Sequence, residues 1–457
     1  MYFQRSSCIK IPLTFKDEEW FKNIKSDLTR REEDYNNPGL FLKKEYFHER
    51  DGNLLIPRYY DVRKYGHEII PFVNDGENID IEFKSKLRDE KQTGGLELLT
   101  TSDYGVLCMQ PGEGKTVVAI AAICELKKKS IIFVHKDSLA TQWQQRFSEH
   151  STITEDQIGM LKTEDRLEVL QKPIVISTVQ TLNSMVRRVP NIEVIMTKAN
   201  FGIAIWDECH TSVSAESFSL SSIFLPSKRT FGLSATPRRS DNNTDIIEKH
   251  VGKVFVPKGA GQTMEPKIIV LKFDHRAVAN HRSYIYYDFV NKCNNFDKGK
   301  YLQMLSSNKN SENEYIRLMR KVCKKVYDAG RTTLCLSDRI KVLDDLATVV
   351  PKEDTGFFIP RSGDKRDSNL LKRFVFSTYG SARDGTDRPG FDCLIMATNT
   401  SNIEQCIGRV VRIFPNKQQP VVFDIVDEGC EEMMKAFNNR MKFYESKKWV
   451  VEVRNIK

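Results

Sequence analysis

Residues Gly105–Leu126 read GVLCMQPGEGKTVVAIAAICEL, an apolar run, a glycine-punctuated turn and a second apolar run. Gly105–Met109 has the length and composition of a buried strand, and Thr116–Leu126 that of a helix closed by Lys127, Lys128 and Lys129. Unpaired backbone N–H groups at a helix start attract anions, and glycine lets that backbone approach a phosphate closely. Pro111, Gly112, Glu113 and Gly114 then form a phosphate cradle. Lys115 reaches the terminal phosphates, and the Thr116 hydroxyl ligates Mg²⁺. Met109 stands where the full phosphate-loop pattern has its first glycine. A tight turn that merely contains a lysine is the competing reading. The flanking strand and helix favour a nucleotide site that takes Mg²⁺ with its phosphates.

Working outward, residues 81–255 alternate strand-like runs (GVLCM, SIIFVH, PIVIST, FGIAIW, RTFGLS) with helix-like segments. Such alternation predicts a doubly wound parallel sheet whose ligands bind beyond the carboxyl ends of the strands. Ile203–Trp206 ends in Asp207, Glu208, Cys209 and His210. Asp207 is placed to hold Mg²⁺ through water, and Glu208 to position and deprotonate an attacking water. A solvated acidic turn is the plainer alternative. Thr230–Leu233 ends in Ser234 and Thr236, whose hydroxyls can bond to His210 and relay nucleotide state, or simply cap a helix. Val134–Leu139, which leads into a helix holding Trp143, and Ser177–Leu182, with Thr178 and Gln180, offer the same choice between a phosphate-backbone contact and a cap.

The glycine- and proline-containing stretch Val256–Pro266 reads as a linker, and residues 276–328 as helical and polar. A second alternating block follows (TTLCLS, GFFI, RFVFST, FDCLIMAT, PVVFDIV), without a phosphate loop. A phosphate-loop lobe followed by a loopless lobe of the same pattern suggests one nucleotide shared by both. Gln405, Arg409 and Arg412 lie on one segment, and the spacing of the two arginines predicts a common helical face. Such arginines stabilise charge on a transferring phosphoryl group. Asp387 can accept a bond from a ribose hydroxyl or from these arginines.

Residues 1–80 carry no nucleotide motif. Basic and aromatic residues interleave at Phe41, Lys43, Lys44, Tyr46 and Phe47, and again at Arg58, Tyr59, Tyr60, Arg63, Lys64 and Tyr65. This suits either a duplex-gripping surface or a small domain with a solvated basic face. The expected division is 1–80 as an N-terminal accessory domain, 81–255 as the ATP-binding lobe and 256–457 as the second lobe. The 457 residues carry a formal net charge of +9, compatible with a polyanionic partner. Ten cysteines include no CxxC pair, which argues against a disulfide framework or zinc site. The longest wholly apolar run, Val117–Cys124, is far short of the ~20 residues that cross a bilayer. With MYFQRSSCIK lacking a secretory apolar core, a cytoplasmic setting without membrane partners is expected.

PGEGKT (Pro111–Thr116), DECH (Asp207–His210), LSATPRRSD (Leu233–Asp241), DGTDRPGFD (Asp384–Asp392) and QCIGRVVR (Gln405–Arg412) together resemble the superfamily 2 helicases and translocases, in that family's motif order. The SATPxRxD extension is similar to the phage branch-migration helicases of the UvsW kind, and more loosely to the XPB and RecG groups. The resemblance implies two tandem RecA-like α/β lobes that close on ATP and move along nucleic acid, acting on forked or junction DNA in replication, recombination or repair. A monomer working beside replication or recombination proteins is expected. Lys115 and Thr116 would hold phosphate and Mg²⁺. Asp207 and Glu208 would activate water, and His210, Ser234 and Thr236 would couple the lobes. Gln405, Arg409 and Arg412 would complete the ATP site, while Thr178 and Thr386 would sit in motifs that touch nucleic acid. The family's adenine-sensing glutamine has an off-register counterpart in Gln92, within LRDEKQ.

Overall fold

A computed structural model describes residues 1–33, 41–71, 75–110, 112–162, 167–210, 215–235, 243–259, 263–274, 285–288, 293–306, 314–385, 388, 390–398, 400 and 403–455. The chain forms two compact units, Met1–Gly261 and Gln262–Lys457. Segments 1–80 and 81–255 both fall in the first unit.

The first unit opens with β1 (Tyr2–Arg5), β2 (Cys8–Pro12), α1 (Glu19–Asp27), β3 (Thr29–Glu33), β4 (Phe41–Glu45), β5 (His48–Arg50), β6 (Asn53–Pro57) and β7 (Glu68–Pro71). Five of these strands form a sheet in the order β5-β6-β2-β1-β7, and β3 pairs with β4 in a separate antiparallel ribbon. Much of the basic–aromatic pattern is spent on packing. Tyr46, Phe47 and Tyr60 lie in the small domain's core, beside Ile9, Phe21 and Ile24. Arg58 is buried, and its Nη1 donates to Thr230 Oγ1 at 2.9 Å. Phe41 and Lys43 remain exposed. Ile246 of the following lobe completes this core, so the small sheet is packed onto that lobe.

The lobe itself comprises α2 (Glu90–Thr101), β8 (Tyr104–Cys108), α3 (Lys115–Leu126), β9 (Ser130–Val134), α4 (Asp137–His150), β10 (Ile158–Leu161), β11 (Ile174–Thr178), α5 (Val179–Arg188), α6 (Ile192–Ala199), β12 (Ile203–Asp207), α7 (Ala215–Ile223), β13 (Arg229–Ser234), α8 (Thr244–Val251) and β14 (Val254–Phe255). Its seven strands are ordered β10-β11-β9-β12-β13-β8-β14, with every pairing parallel. Helices cover both faces, which explains why β9 and β12 are continuous apolar runs and not alternating ones. α3 is buried on most of its circumference, as its composition predicts.

The second unit contains β15 (Lys267–Phe273), β16 (Ile285–Asp288), β17 (Cys293–Phe296), α9 (Lys298–Ser306), α10 (Glu314–Asp328), β18 (Thr333–Ser337), α11 (Ile340–Ala347), β19 (Thr355–Phe358), α12 (Arg366–Leu370), β20 (Phe374–Thr378), α13 (Tyr379–Gly385), β21 (Cys393–Met396), α14 (Glu404–Val410), β22 (Val421–Asp427), α15 (Glu431–Ser446) and β23 (Val451–Asn455). Its seven-stranded sheet, β19-β20-β18-β21-β22-β15-β23, is parallel throughout. The α/β reading with two RecA-like lobes and a small N-terminal domain therefore holds.

Two local expectations fail. Residues 276–328 are not wholly helical: β16 and β17 pair antiparallel, as the Ile285, Tyr286 and Tyr287 run of β16 favours over a helix. Arg409 and Arg412 do not share a helical face. α14 ends at Val410, and Arg412 lies beyond it in an extended bridge with Thr263.

Candidate ATP site

β8 delivers the chain to the phosphate loop, and α3 begins at Lys115 directly after it. Gly112 and Gly114 have φ of +86° and +88°, a region that L side chains avoid. A Cβ on Gly114 would lie 2.3 Å from Gln92 Nε2, so this glycine also allows close approach of a side chain. Met109 occupies the first loop position as a strand-end core residue, its N–H donating to the Ser234 carbonyl at 3.0 Å.

The loop is held from within. The Gln92 amide donates to the Glu113 carbonyl at 2.8 Å and accepts from the Arg88 N–H at 2.7 Å. The buried Glu113 carboxylate accepts from Lys91 Nζ at 2.7 Å and from the Gln110 N–H at 2.5 Å. Gln92 and Glu113 thus brace the loop's shape. The Glu113 carboxylate, an expected ligand, is not suited to face an anion.

Parallel β12 brings the acidic pair to the same sheet edge. Lys115 Nζ sits 3.2 Å from Glu208 Oε1. Asp207 Oδ1 accepts from the Glu208 N–H at 2.9 Å, and Oδ2 accepts from the Trp143 indole N–H at 2.8 Å. Burial, then the neighbouring Glu208 charge, pushes the Asp207 carboxyl up to about 6. Burial also acts to raise Glu208, but Lys115 and His210 outweigh it and hold this carboxyl below its ordinary value. Glu208 has a φ of +47°, an unusual conformation for a side-chain-bearing residue and one that turns it out of the strand. His210 Nδ1 lies 2.7 Å from Ser234 Oγ, so the expected hydroxyl–imidazole contact forms.

The residue set suits a hard divalent cation carried in with phosphate. Among the described residues no group of three His, Cys, Asp or Glu side chains could enclose a metal. One half-buried carboxylate and one threonine hydroxyl, completed by phosphate oxygens and water, match the way Mg²⁺ is held in nucleotide sites. Trp143 is a participant that sequence reasoning placed on a helix without giving it a task. Its indole N–H faces the Asp207 carboxylate.

Other candidates are placed as follows. Thr178 Oγ1 accepts from the Thr181 N–H at 3.1 Å, capping α5, and Gln180 Nε2 donates to the His135 carbonyl at 3.4 Å. Arg409 lies in α14 of the second unit, and Arg412 follows it. Pro111, Thr236, Thr386 and Asp387 lie outside the described residues, as does the Gln405 side chain.

Comparison with known proteins agrees with this architecture. Residues 77–239 match the family model described as the type III restriction enzyme res subunit. The chain is 27% identical over 455 residues to a protein of Acanthamoeba polyphaga mimivirus named "Putative ATP-dependent RNA helicase L396", covering 95% of this chain and 83% of that one. It is 23% identical over 379 residues to "Probable helicase D10" of Escherichia phage T5, covering 80% of this chain and 76% of that one. The chain is an ATP-dependent helicase. A solved structure of the DNA-bound type ISP restriction-modification enzyme LlaBIII matches 88% of this helicase and 34% of that chain, with 15% identity and a TM-score of 0.55, which shows a shared fold. As a helicase, the protein uses ATP and binds nucleic acid. Among the described residues no helix is long and apolar enough to cross a membrane.

Proposed function

We propose that this helicase couples ATP hydrolysis to unwinding or branch migration of forked and junction DNA. The observation that carries the ATPase half is the convergence of Lys115, Asp207 and Glu208 at the carboxyl edge of one parallel sheet. In this reading the loop backbone and Lys115 bind the β- and γ-phosphates. Thr116 and Asp207 hold Mg²⁺, which when bound neutralises phosphate charge. Glu208 orients the attacking water and takes its proton. His210 and Ser234, joined by a hydrogen bond, report the nucleotide state to the rest of the motor. Gln405, Arg409 and Arg412 take part in hydrolysis, and Thr386 meets the nucleic-acid backbone.

The DNA half is supported by the N-terminal region, whose small sheet is packed onto the ATP-binding lobe and whose separate β3–β4 ribbon keeps Arg31, Lys43 and Phe41 exposed. An attachment that exposes basic and aromatic residues on one ribbon suits a duplex arm held beside the motor. The name of the mimivirus relative favours RNA as a second reading. Strand separation is tested on a four-way DNA junction, a forked DNA, a tailed linear duplex and an RNA duplex at one salt concentration, because polyanion binding shifts steeply with salt. Preference for the junction or fork supports the proposal. Preference for RNA overturns it, and ATPase activity without strand separation points to a double-stranded DNA translocase or an ATP-gated clamp.

A further inference from the structure

We infer that Trp143 is a positioning residue for the metal-binding carboxylate. Its indole N–H fixes Asp207 in the orientation that receives a nucleotide-borne divalent cation. The inference rests on the assignment of Asp207 to metal binding above.

The geometry is specific. Asp207 ends β12, and Trp143 comes from α4, which packs against the strands beside it. The Trp143 ring is 2% exposed and sits among Ala140, Phe147, Ile132 and Ile205 in one core cluster. Packing leaves the ring no freedom, so the direction of its N–H is set by the fold. That N–H meets Asp207 Oδ2 at 2.8 Å, while the Glu208 N–H meets Oδ1 at 2.9 Å. Each carboxylate oxygen therefore has one fixed donor, and both side-chain torsions of Asp207 are determined. An ionised carboxylate oxygen accepts more than one partner, so each retains capacity toward a cation or its water.

A tryptophan is well suited to this task. It can donate but not accept, so it cannot compete with the carboxylate for the cation. It carries no charge, so it does not lower the carboxylate's attraction for the metal as a lysine or arginine would. A donor of this kind, one step removed from the ion, is typically worth about 10–100-fold in metal affinity. Structural packing alone would be met equally well by phenylalanine, which has no N–H.

The test uses Mn²⁺ as the probe, its binding to the full-length chain with ADP followed by electron paramagnetic resonance. Asp207→Ala should abolish Mn²⁺ binding; if binding persists, the metal assignment itself fails. Trp143→Phe should weaken Mn²⁺ binding about 10-fold or more, leave metal-free ADP binding unchanged, and add nothing in the Asp207→Ala background. Unchanged Mn²⁺ affinity in a folded Trp143→Phe chain overturns the inference while leaving the metal site intact. A measurement on the unsubstituted ring covers the case in which the Trp143→Phe chain does not fold. The chain has four tryptophans, hence four indole N–H resonances in ¹⁵N-labelled protein. One should shift on Asp207→Asn and again on adding Mg²⁺ with ADP, but not with ADP alone. Four resonances indifferent to both changes overturn the inference.

Discussion

Lys115 Nζ lies 3.2 Å from Glu208 Oε1, joining the cation proposed to bind phosphate to the carboxylate proposed to activate water. Both groups are largely buried, so the pair compensates two charges that would otherwise be costly to hold there. An arriving γ-phosphate competes for Lys115 and releases the Glu208 carboxylate. Lys115→Ala should therefore lower nucleic-acid-stimulated ATPase turnover by at least about 100-fold. Steady-state phosphate release at saturating DNA checks this, and turnover near wild type refutes the site.

Glu208→Gln keeps the size and hydrogen-bonding reach of the side chain but removes its basicity. Hydrolysis should fall about 10²–10⁴-fold, with ATP binding retained. Fluorescent-nucleotide binding measured beside ATPase turnover separates the two. Parallel loss of both would mean that Glu208 supports the loop instead of the chemistry.

Both ends of the Gln92 amide are occupied, one by the Glu113 carbonyl and one by the Arg88 N–H. Gln92→Ala leaves buried backbone groups unpaired, a cost of about 1–3 kcal/mol borne by the loop. The KM for ATP and for GTP should rise together, with their ratio unchanged. A selective loss of ATP use would show that Gln92 reads the base.

Arg440 and Asp424 form a buried, two-pronged ion pair in the second unit, with N–O distances of 2.9 and 3.0 Å. Tyr444 donates to the same carboxylate at 2.9 Å. Arg440→Met strands Asp424 and should cost about 3–5 kcal/mol. Urea denaturation followed by circular dichroism should show an earlier transition. Adding Asp424→Leu should recover part of the loss, because the unpaired charge is then gone.

His250 is buried against Ser219, its ring Nε2 2.9 Å from Ser219 Oγ, and burial lowers its pKa from 6.5 to about 3. The native ring stays neutral where the unfolded ring takes up a proton. Stability from this residue is complete above pH 6.5 and is lost as pH falls from there toward 3. The limiting slope is about 1.4 kcal/mol per pH unit. Melting temperatures between about pH 7 and 5 should fall less steeply for His250→Gln than for the wild type.

The ATP-binding lobe was legible because its chemistry is local. GEGKT carries its glycines, lysine and threonine within one turn, and IAIWDE places its acids at the end of an apolar strand. Both positions follow from backbone periodicity alone. The basic–aromatic run left two readings open, since periodicity does not say which rings a small core will claim. Tyr46 and Tyr60 went inside beside Phe3, Phe21 and Phe47, because a domain of that size must bury large rings to remove enough apolar surface from water.

Sequence by itself determined the α/β class, the two lobes, and the loop and acidic pair proposed as an ATP site. Each of these depends on residues adjacent in the chain. Only tertiary structure decided that Trp143 would serve Asp207, 64 positions away, that Gln92 would brace Glu113, and that Arg412 would leave its helix. Those outcomes depend on which strands become neighbours and how helices settle on them. Contacts of that kind are selected by the packing of the whole sheet, and no local pattern encodes them.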